Sequence, residues 1–202
     1  MRVITLTPEA LDDHAARLAA EIANCDSIRY DAVVGIYRGG SEFCNVFLKH
    51  FPARRCGARF DVALQRPSTK KKTDGVGRFL RRLPNALLNV MRVAESLVLE
   101  VYTRCSGKDK GLKVQLPSEL ISLLLATPAP NVLVIDDAID SGHTMAAIIA
   151  AVKEVNPQAL VRSAVVTVTT RCPKVKADFA LYRNRTLVRF PWASDFKLEN
   201  RE

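Results

Sequence analysis

A chain of 202 residues can bury the core of one domain but is short for two, and 48% hydrophobic with 25% charged residues excludes a largely disordered protein. The formal net charge of +9 favours an anionic partner, which nucleic acid, an acidic membrane surface and a polyphosphate ligand would each satisfy. The five cysteines form no CxxC pair and no metal-ligand spacing with histidine, so we expect reduced thiols and a cytoplasmic protein. The apolar runs are too short to span a bilayer, so no membrane partner is expected.

The first third of the chain shows a helix–strand–helix–strand pattern. Thr7 followed by Pro8 is typical of a helix start, and Leu11, Leu18 and Ile22 continue it at helical spacing. A short, continuous apolar run after this helix is typical of a buried parallel strand. The predicted elements are a helix from Pro8 to about Cys25, a strand over Ala32–Ile36, a helix over Ser41–Phe51 and a strand over Arg59–Gln65.

Two segments in the middle of the chain differ from this pattern. Residues 66–77 contain the long polar stretch Arg66–Gly75, which we interpret as a flexible loop. Residues 78–104 are a predicted helical insertion, because apolar residues recur at helical spacing in the second half of Phe79–Tyr102. The alternative interpretation of the first segment is a solvated charge run. The alternative for the second is a helix that packs in the core or forms a subunit contact.

Strands and helices alternate again in the rest of the chain. Asn131–Asp137 is the strongest predicted strand, and Gly142–Val155 follows as a helix. The alternation predicts an α/β fold in a single domain over residues 1–202, with an open, mostly parallel sheet and helices on both faces. The other predicted elements are a short strand over Lys113–Leu116, a helix over Pro117–Ala126 with Pro117 at its first position, and strands over Val161–Thr169, Phe179–Tyr182 and Leu187–Phe190.

The segment Val132–Thr144 combines an apolar strand, two acids and a turn of small residues. Asp136 and Asp137 stand where the strand ends, and ligands of open α/β sheets bind in the crevice at that end. The turn Asp140–Thr144 opens a helix, so its N–H groups and the helix dipole suit a phosphate, and Gly142 permits close approach. The pattern favours a sugar phosphate whose hydroxyls are bound by the acids. An acid pair that caps the next helix or binds a bare Mg²⁺ is the alternative.

These residues closely resemble the phosphoribosyl pyrophosphate signature of type I phosphoribosyltransferases. The resemblance implies that Asp136 and Asp137 hold the ribose hydroxyls, directly or through Mg²⁺ as metal ligands. It implies that Asp140 is catalytic, since the matching acid of the purine-salvage members lies close to the base and can act as its general base. It further implies that the 5′-phosphate is held by the whole turn, which consists of Asp140, Ser141, Gly142, His143 and Thr144, with the side chain of His143 in solvent.

A second match lies earlier in the chain. Tyr30–Gly40 resembles the pyrophosphate loop of the same family, which follows the first core strand. In physical terms, Arg38 brings a fork of donors for phosphate oxygens, while Gly39 and Gly40 permit a tight turn with exposed N–H groups. The resemblance implies a catalytic role for Arg38 and substrate binding by the two glycines. Residues 66–77 fall where the family has its flexible catalytic loop, and a solvated charge run is an equal alternative.

The end of the chain around its Phe-Pro-Trp sequence resembles xanthine–guanine-type enzymes, where a Pro-Trp closes the base pocket. The resemblance implies that residues 170–202 form a small hood, in which Phe190 and Trp192 bind the base. The sequence departs from the family at Leu187, where an aromatic residue often stacks on the purine. The lysine that reads an exocyclic oxygen is absent or replaced by Arg171. A Phe-Pro-Trp that anchors the last strand in the core is an equal alternative.

The motifs together predict an enzyme that transfers the 5-phosphoribosyl group from Mg²⁺–phosphoribosyl pyrophosphate to a nitrogenous base, of purine type, and releases pyrophosphate. We expect a homodimer without a nucleic-acid partner. The alternative is a non-catalytic regulator that senses phosphoribosyl pyrophosphate or a nucleotide and binds nucleic acid. The imperfect base-pocket match keeps this alternative open, whereas the sequence has no helix-turn-helix or RNA-binding motif to support it. A plain nucleic-acid-binding domain leaves Asp136, Asp137 and Asp140 unexplained, because they would repel phosphates.

Overall fold

The structure is a computed structural model that describes residues 2–65, 87, 90, 93, 94, 112–183, 185–193 and 195–196. The predicted loop 66–77 lies outside the described residues. Most of the predicted insertion 78–104 lies outside them as well, and its described residues Leu87, Val90, Val93 and Ala94 are helical.

The helices and strands with described bounds follow one another in chain order. They are β1 (Arg2–Thr5), α1 (Pro8–Cys25), β2 (Tyr30–Ile36), α2 (Gly39–Phe47), a 3₁₀ turn (Ala53–Arg55), β3 (Cys56–Val62), β4 (Leu64–Gln65), β5 (Lys113–Val114), α3 (Ser118–Ala126), β6 (Asn131–Ile139), α4 (His143–Val155), β7 (Leu160–Val168), β8 (Phe179–Tyr182) and β9 (Thr186–Arg189). None of the helices in the described part of the chain is long and apolar enough to cross a membrane.

The main sheet confirms the predicted open, parallel α/β architecture. Its five strands lie in the order β3–β2–β6–β7–β8, and every neighbouring pair is parallel. The chain continues from β2 to β3 on one side and from β6 to β7 and β8 on the other, so the direction of winding reverses between β2 and β6. A crevice forms at such a switch point, outside the carboxyl ends of the two strands.

Helices cover both faces of this sheet. Successive side chains of its buried strands point to opposite faces, so apolar residues of each strand contact helices on both sides. Val33 and Leu133 pack in a core cluster with residues of α1 and α2. Val34 and Val134, one residue further along each strand, pack in a second cluster with residues of α3 and α4. The continuous apolar runs of β2 and β6 are therefore explained by burial on two faces.

A second, two-stranded sheet joins the two ends of the described chain. β1 pairs parallel with β9, in a register that places Arg2 opposite Thr186. The Thr167 hydroxyl of β7 donates to the carbonyl oxygen of Thr186 at 2.6 Å and so ties this pair to the main sheet. No strand is predicted at β1, because the apolar run of its four residues is short and their partner β9 is far away in the chain. Within the range predicted as a hood, β8 belongs to the main sheet and β9 to this small one.

Several predicted boundaries shift. The helix predicted over Ser41–Phe51 begins at Gly39 and ends at Phe47. Phe51 lies beyond the end of α2, in a turn that folds back on the helix. Its ring stacks on the ring of Phe47, with the centroids 5.1 Å apart. Pro117 is the N-cap of α3 rather than its first residue. β6 continues beyond the acids to Ile139, because β7 pairs with it over that length.

Candidate active site

A cavity of 460 Å³ opens at the switch point between β2 and β6. Pairing of β6 with β2 stops at Ile135, opposite Gly35, whereas pairing with β7 continues to Ile139. The last residues of β6 therefore have a strand on one side only, and the cavity lies on the other side, where the chain turns from β2 into α2. The predicted site residues that line it are Arg38, Gly39, Asp136, Asp137, Asp140, Ser141, Gly142 and Thr144.

The acid pair lines this cavity, and both residues are half-buried. The Asp137 backbone N–H donates to Oδ1 of Asp136 at 2.9 Å, and the Trp192 indole N–H donates to Oδ2 of Asp137 at 2.8 Å. Burial raises the pKa of both carboxyls, and repulsion by Asp137 raises the pKa of Asp136 further. The hydrogen bond from Trp192 acts in the opposite direction and lowers the pKa of Asp137. Two adjacent acids in such a place need a cation or hydroxyl groups to be stable as carboxylates.

The glycines of the predicted pyrophosphate loop pack directly on these acids. A β carbon at Gly39 would lie 2.0 Å from Oδ2 of Asp137, and one at Gly40 would lie 2.6 Å from Oδ1 of Asp136. Only residues without a side chain can approach the carboxylates this closely. The structure therefore joins the two motifs in one site, although a long stretch of chain separates them.

Arg38 stands at the mouth of the cavity. Arg38 is exposed and is the N-cap of α2, and a cis peptide bond links it to Tyr37. The Tyr37 side chain, which the sequence analysis did not select, also lines the cavity and is 60% exposed. An exposed arginine beside the first N–H groups of a helix offers donors to an anion in the cavity.

The predicted phosphate turn has the geometry that an anion site requires. Gly142 is the N-cap of α4 and has a φ of +77°, a conformation in which a side chain would be strained. As a glycine it brings no side chain to satisfy the first N–H groups of the helix. A segment after β7 supports the turn from behind, since the Lys174 N–H donates to the Ser141 carbonyl at 2.9 Å. His143 is half-buried and is not among the residues that line the cavity.

Two threonines hold Asp140, and neither is among the predicted site residues. The Thr169 hydroxyl donates to Oδ1 of Asp140 at 2.6 Å, and the Thr170 hydroxyl donates to the backbone carbonyl of Asp140 at 2.8 Å. Each threonine is 5% exposed. A signal was present in the sequence: Thr169 ends a predicted strand and Thr170 follows it, at the end of the sheet where Asp140 follows another strand.

The C-terminal residues lie beside the cavity rather than among its lining residues. Phe190 is buried in the core, and its ring stacks on that of Trp192 with the centroids 5.0 Å apart and an interplanar angle of 6°. Leu187, which replaces the expected aromatic residue, is buried in β9. Trp192 touches the acid pair through its indole N–H. Binding of the base by Phe190 and Trp192 stays a prediction.

Asp136 and Asp137 are also the residues that suit a divalent cation. Within the described ranges, no group of three or more histidine, cysteine, aspartate or glutamate side chains could hold a metal ion. Two carboxylates are enough for Mg²⁺, because proteins bind this ion through one or two carboxylates together with substrate phosphates and water. The donor set therefore fits Mg²⁺ that enters with a phosphorylated substrate.

Sequence comparison assigns the chain to a known family. The family model described as the phosphoribosyl transferase domain matches residues 6–198, nearly the whole chain. Comparison with curated proteins finds no significant match.

Solved structures with the same fold are similar over most of their length. A purine phosphoribosyltransferase from Pyrococcus horikoshii is 16% identical, with a TM-score of 0.58 and 100% of both chains covered. The xanthine-guanine-hypoxanthine phosphoribosyltransferase of Helicobacter pylori is 14% identical, with a TM-score of 0.58, and 95% of this chain and 92% of that chain are covered. A Neisseria gonorrhoeae protein with bound ppGpp is 16% identical, with a TM-score of 0.57 and coverage of 95% and 89%. At these identities the similarity shows a shared fold.

Proposed function

The chain belongs to the phosphoribosyl transferase family, whose enzymes are pentosyltransferases, and on this premise we propose that it transfers 5-phosphoribosyl from Mg²⁺–phosphoribosyl pyrophosphate to a purine base. The observation that carries the proposal is that one and the same cavity is lined by Arg38 and Gly39, by Asp136 and Asp137, and by the turn at Asp140. These three groups suit the pyrophosphate, the ribose and the 5′-phosphate of one substrate.

The phosphoribosyl part of the substrate is assigned to β6 and the turn after it. The acids accept hydrogen bonds from the ribose hydroxyls, which relieves the mutual repulsion of Asp136 and Asp137. The 5′-phosphate takes the N–H groups at the start of α4, with the hydroxyls of Ser141 and Thr144 as further donors. Both assignments follow from the resemblance. The phosphate assignment is supported by the start of α4, where no side chain caps the helix, and by the left-handed Gly142.

The leaving group is assigned to the turn after β2 and the first two residues of α2. As the bond from ribose to pyrophosphate breaks, positive charge grows on the sugar and negative charge on the pyrophosphate. The Arg38 guanidinium and the backbone N–H groups of Gly39 and Gly40 stabilise the latter charge. Asp136 and Asp137 would hold Mg²⁺, which would supply further positive charge to stabilise the leaving group. The protein needs no covalent nucleophile for this reaction, because it positions the two reactants and stabilises charge.

Asp140 is proposed as the group that faces the incoming nitrogen. It is exposed and lines the cavity, beyond the acid pair along the chain. The Thr169 hydroxyl engages one of its carboxylate oxygens, which fixes its orientation and leaves the other to accept a proton from the base. The purine specificity is a proposal from the family resemblance, with the ring of Trp192 as a wall of the base site and Phe190 behind it.

The test is an assay of pyrophosphate release from phosphoribosyl pyrophosphate, with Mg²⁺ and a panel of hypoxanthine, guanine, xanthine, adenine, uracil and orotate. We expect turnover with at least one purine and none without a base. Arg38→Ala should lower kcat/KM by about 10²-fold, since it removes a donor to the developing charge. Arg29→Ala is a matched control, because Arg29 pairs with Asp31 and directly precedes β2, at the end of the strand opposite to the cavity. Binding of phosphoribosyl pyrophosphate without turnover on any base would contradict the proposed reaction.

A further inference from the structure

The Trp192 side chain reaches the acid pair from the C-terminal segment, where its indole N–H donates to Oδ2 of Asp137 at 2.8 Å. We propose that Trp192 is a positioning residue for Asp137, whose carboxylate it holds in the orientation that binds the ribose. The inference rests on the proposed function, because Asp137 is a ribose ligand only if the protein binds phosphoribosyl pyrophosphate.

The hydrogen bond is formed in a tightly packed place. A β carbon at Gly39 would lie 2.0 Å from the same carboxylate oxygen and 2.8 Å from the indole nitrogen of Trp192. The backbone of the loop after β2 thus passes beside both partners of the hydrogen bond. Packing and the hydrogen bond restrain the same oxygen, so three distant segments of the chain meet at Asp137.

The indole ring itself is held on the core. It lies parallel to the Phe190 ring, with an interplanar angle of 6° and a centroid separation of 5.0 Å. Phe190 is only 5% exposed and belongs to the cluster beneath α1 and α2. A ring that stacks on a buried ring has few other rotamers available, which fixes the direction of its N–H group.

The turn that carries the indole is held as well. The Ala193 N–H donates to the Phe190 carbonyl at 2.9 Å. Beyond it, Asp195 forms an ion pair with Arg189 at 3.1 Å, and Arg189 also donates to the Thr5 hydroxyl at 3.1 Å. Since Arg189 is 2% exposed, the turn is tied to β1 and β9 in the interior. The sheet that joins the chain ends therefore supports the ribose site through one side chain.

The single N–H of an indole can serve one acceptor at this place. Because Asp137 takes it, the N–H does not read the base, although the ring can still form a wall of the base site. Loss of the N–H should therefore weaken binding of the phosphoribosyl substrate and leave recognition of the base unchanged. A residue that only closes the base pocket would produce the reverse result.

The first test is Trp192→Phe, which keeps an aromatic ring on Phe190 and removes the N–H donor. We expect the Kd for phosphoribosyl pyrophosphate with Mg²⁺, measured by calorimetry, to rise about tenfold, as for the loss of a hydrogen bond to a charged group. The KM for the base should stay unchanged. Tyr182→Phe is the matched control, because it removes an aromatic O–H that contacts Nε2 of His14 at 2.7 Å, away from the cavity.

The second test uses the fact that Trp192 is the only tryptophan of the chain, so intrinsic indole fluorescence reports on this site alone. Without ligand, Asp137→Ala should change the emission maximum or intensity, because the indole loses its acceptor. Asp140→Ala removes a neighbouring carboxylate that does not contact the indole, and it should leave the emission unchanged.

The two tests separate this inference from the proposed function. Emission that Asp137→Ala does not alter, or that Asp140→Ala alters equally, would overturn the contact whether or not the protein binds phosphoribosyl pyrophosphate. A Trp192→Phe variant with the wild-type Kd, or with a raised KM for the base alone, would overturn the positioning role. If the wild type does not bind phosphoribosyl pyrophosphate, the proposed function fails and the positioning role fails with it, while the fluorescence result still decides the contact.

Discussion

Replacing Gly39 by alanine would place a methyl group 2.0 Å from Oδ2 of Asp137 and 2.8 Å from Nε1 of Trp192. Carbon and oxygen atoms in ordinary contact lie well over 3 Å apart, so the loop or the carboxylate must move by about 1 Å or more. Overpacking of this kind destabilises a protein by about 1–3 kcal/mol. A displacement of about 1 Å at a reacting centre can cost about 10²-fold in rate. We therefore expect Gly39→Ala to fold with reduced stability and to lose about 10²-fold in kcat/KM.

The assay measures pyrophosphate release at a temperature where every variant is folded, and thermal unfolding is measured separately for each variant. Gly57→Ala is the matched control, because its β carbon would lie 2.1 Å from the carbonyl oxygen of Asp31, near the amino ends of β2 and β3. It should lower the unfolding temperature by a similar amount and leave kcat/KM nearly unchanged. Normal turnover by Gly39→Ala, or an equal loss of turnover in Gly57→Ala, would refute the reasoning that the loop must touch the acid pair.

The remaining predictions concern the acids and their partners. Asp136→Asn combined with Asp137→Asn should abolish the Mg²⁺-dependent binding of phosphoribosyl pyrophosphate in calorimetry while the fold, followed by circular dichroism, persists; unchanged affinity would contradict the ribose assignment. Because burial raises the pKa of both acids, the pair keeps its protons to a higher pH in the unliganded folded protein than in the unfolded chain, where carboxyls lose theirs near about pH 4. The free energy of unfolding should therefore fall as the pH rises through the raised pKa values. This fall should be smaller in the double variant. Asp140→Ala should reduce kcat by about 10²–10⁴-fold and alter the Kd for phosphoribosyl pyrophosphate far less, since backbone N–H groups hold the phosphate; normal turnover would exclude Asp140 as the base. Thr169→Val should lower kcat by about tenfold through the freed Asp140 side chain, whereas Thr167→Val, whose hydroxyl bonds a backbone carbonyl of β9, should affect stability alone.

The main sheet could be predicted from the sequence, and so could the places of the two motifs at strand ends, because their signals are local. Four apolar residues before Asp136 suffice to indicate a strand buried on two faces, and a glycine at a helix start indicates a phosphate turn. Strand ends and helix starts shifted by a few residues, since boundaries depend on which neighbour continues the pairing. β6 shows this directly: it extends to Ile139 only because β7 pairs with it that far.

Other features depend on contacts between residues far apart in the chain. The pairing of β1 with β9 and the approach of Gly39 to Asp137 have no local pattern that predicts them. Each arises only when the register of the strands is set and the helices have packed on both faces. The amino-acid sequence by itself therefore determined the fold class, the order of the two motifs and the identity of the acids. Only the tertiary structure decided that the acids lie against the predicted pyrophosphate loop and that Trp192 donates a hydrogen bond to one of them, because packing, and no periodicity, brings these groups together.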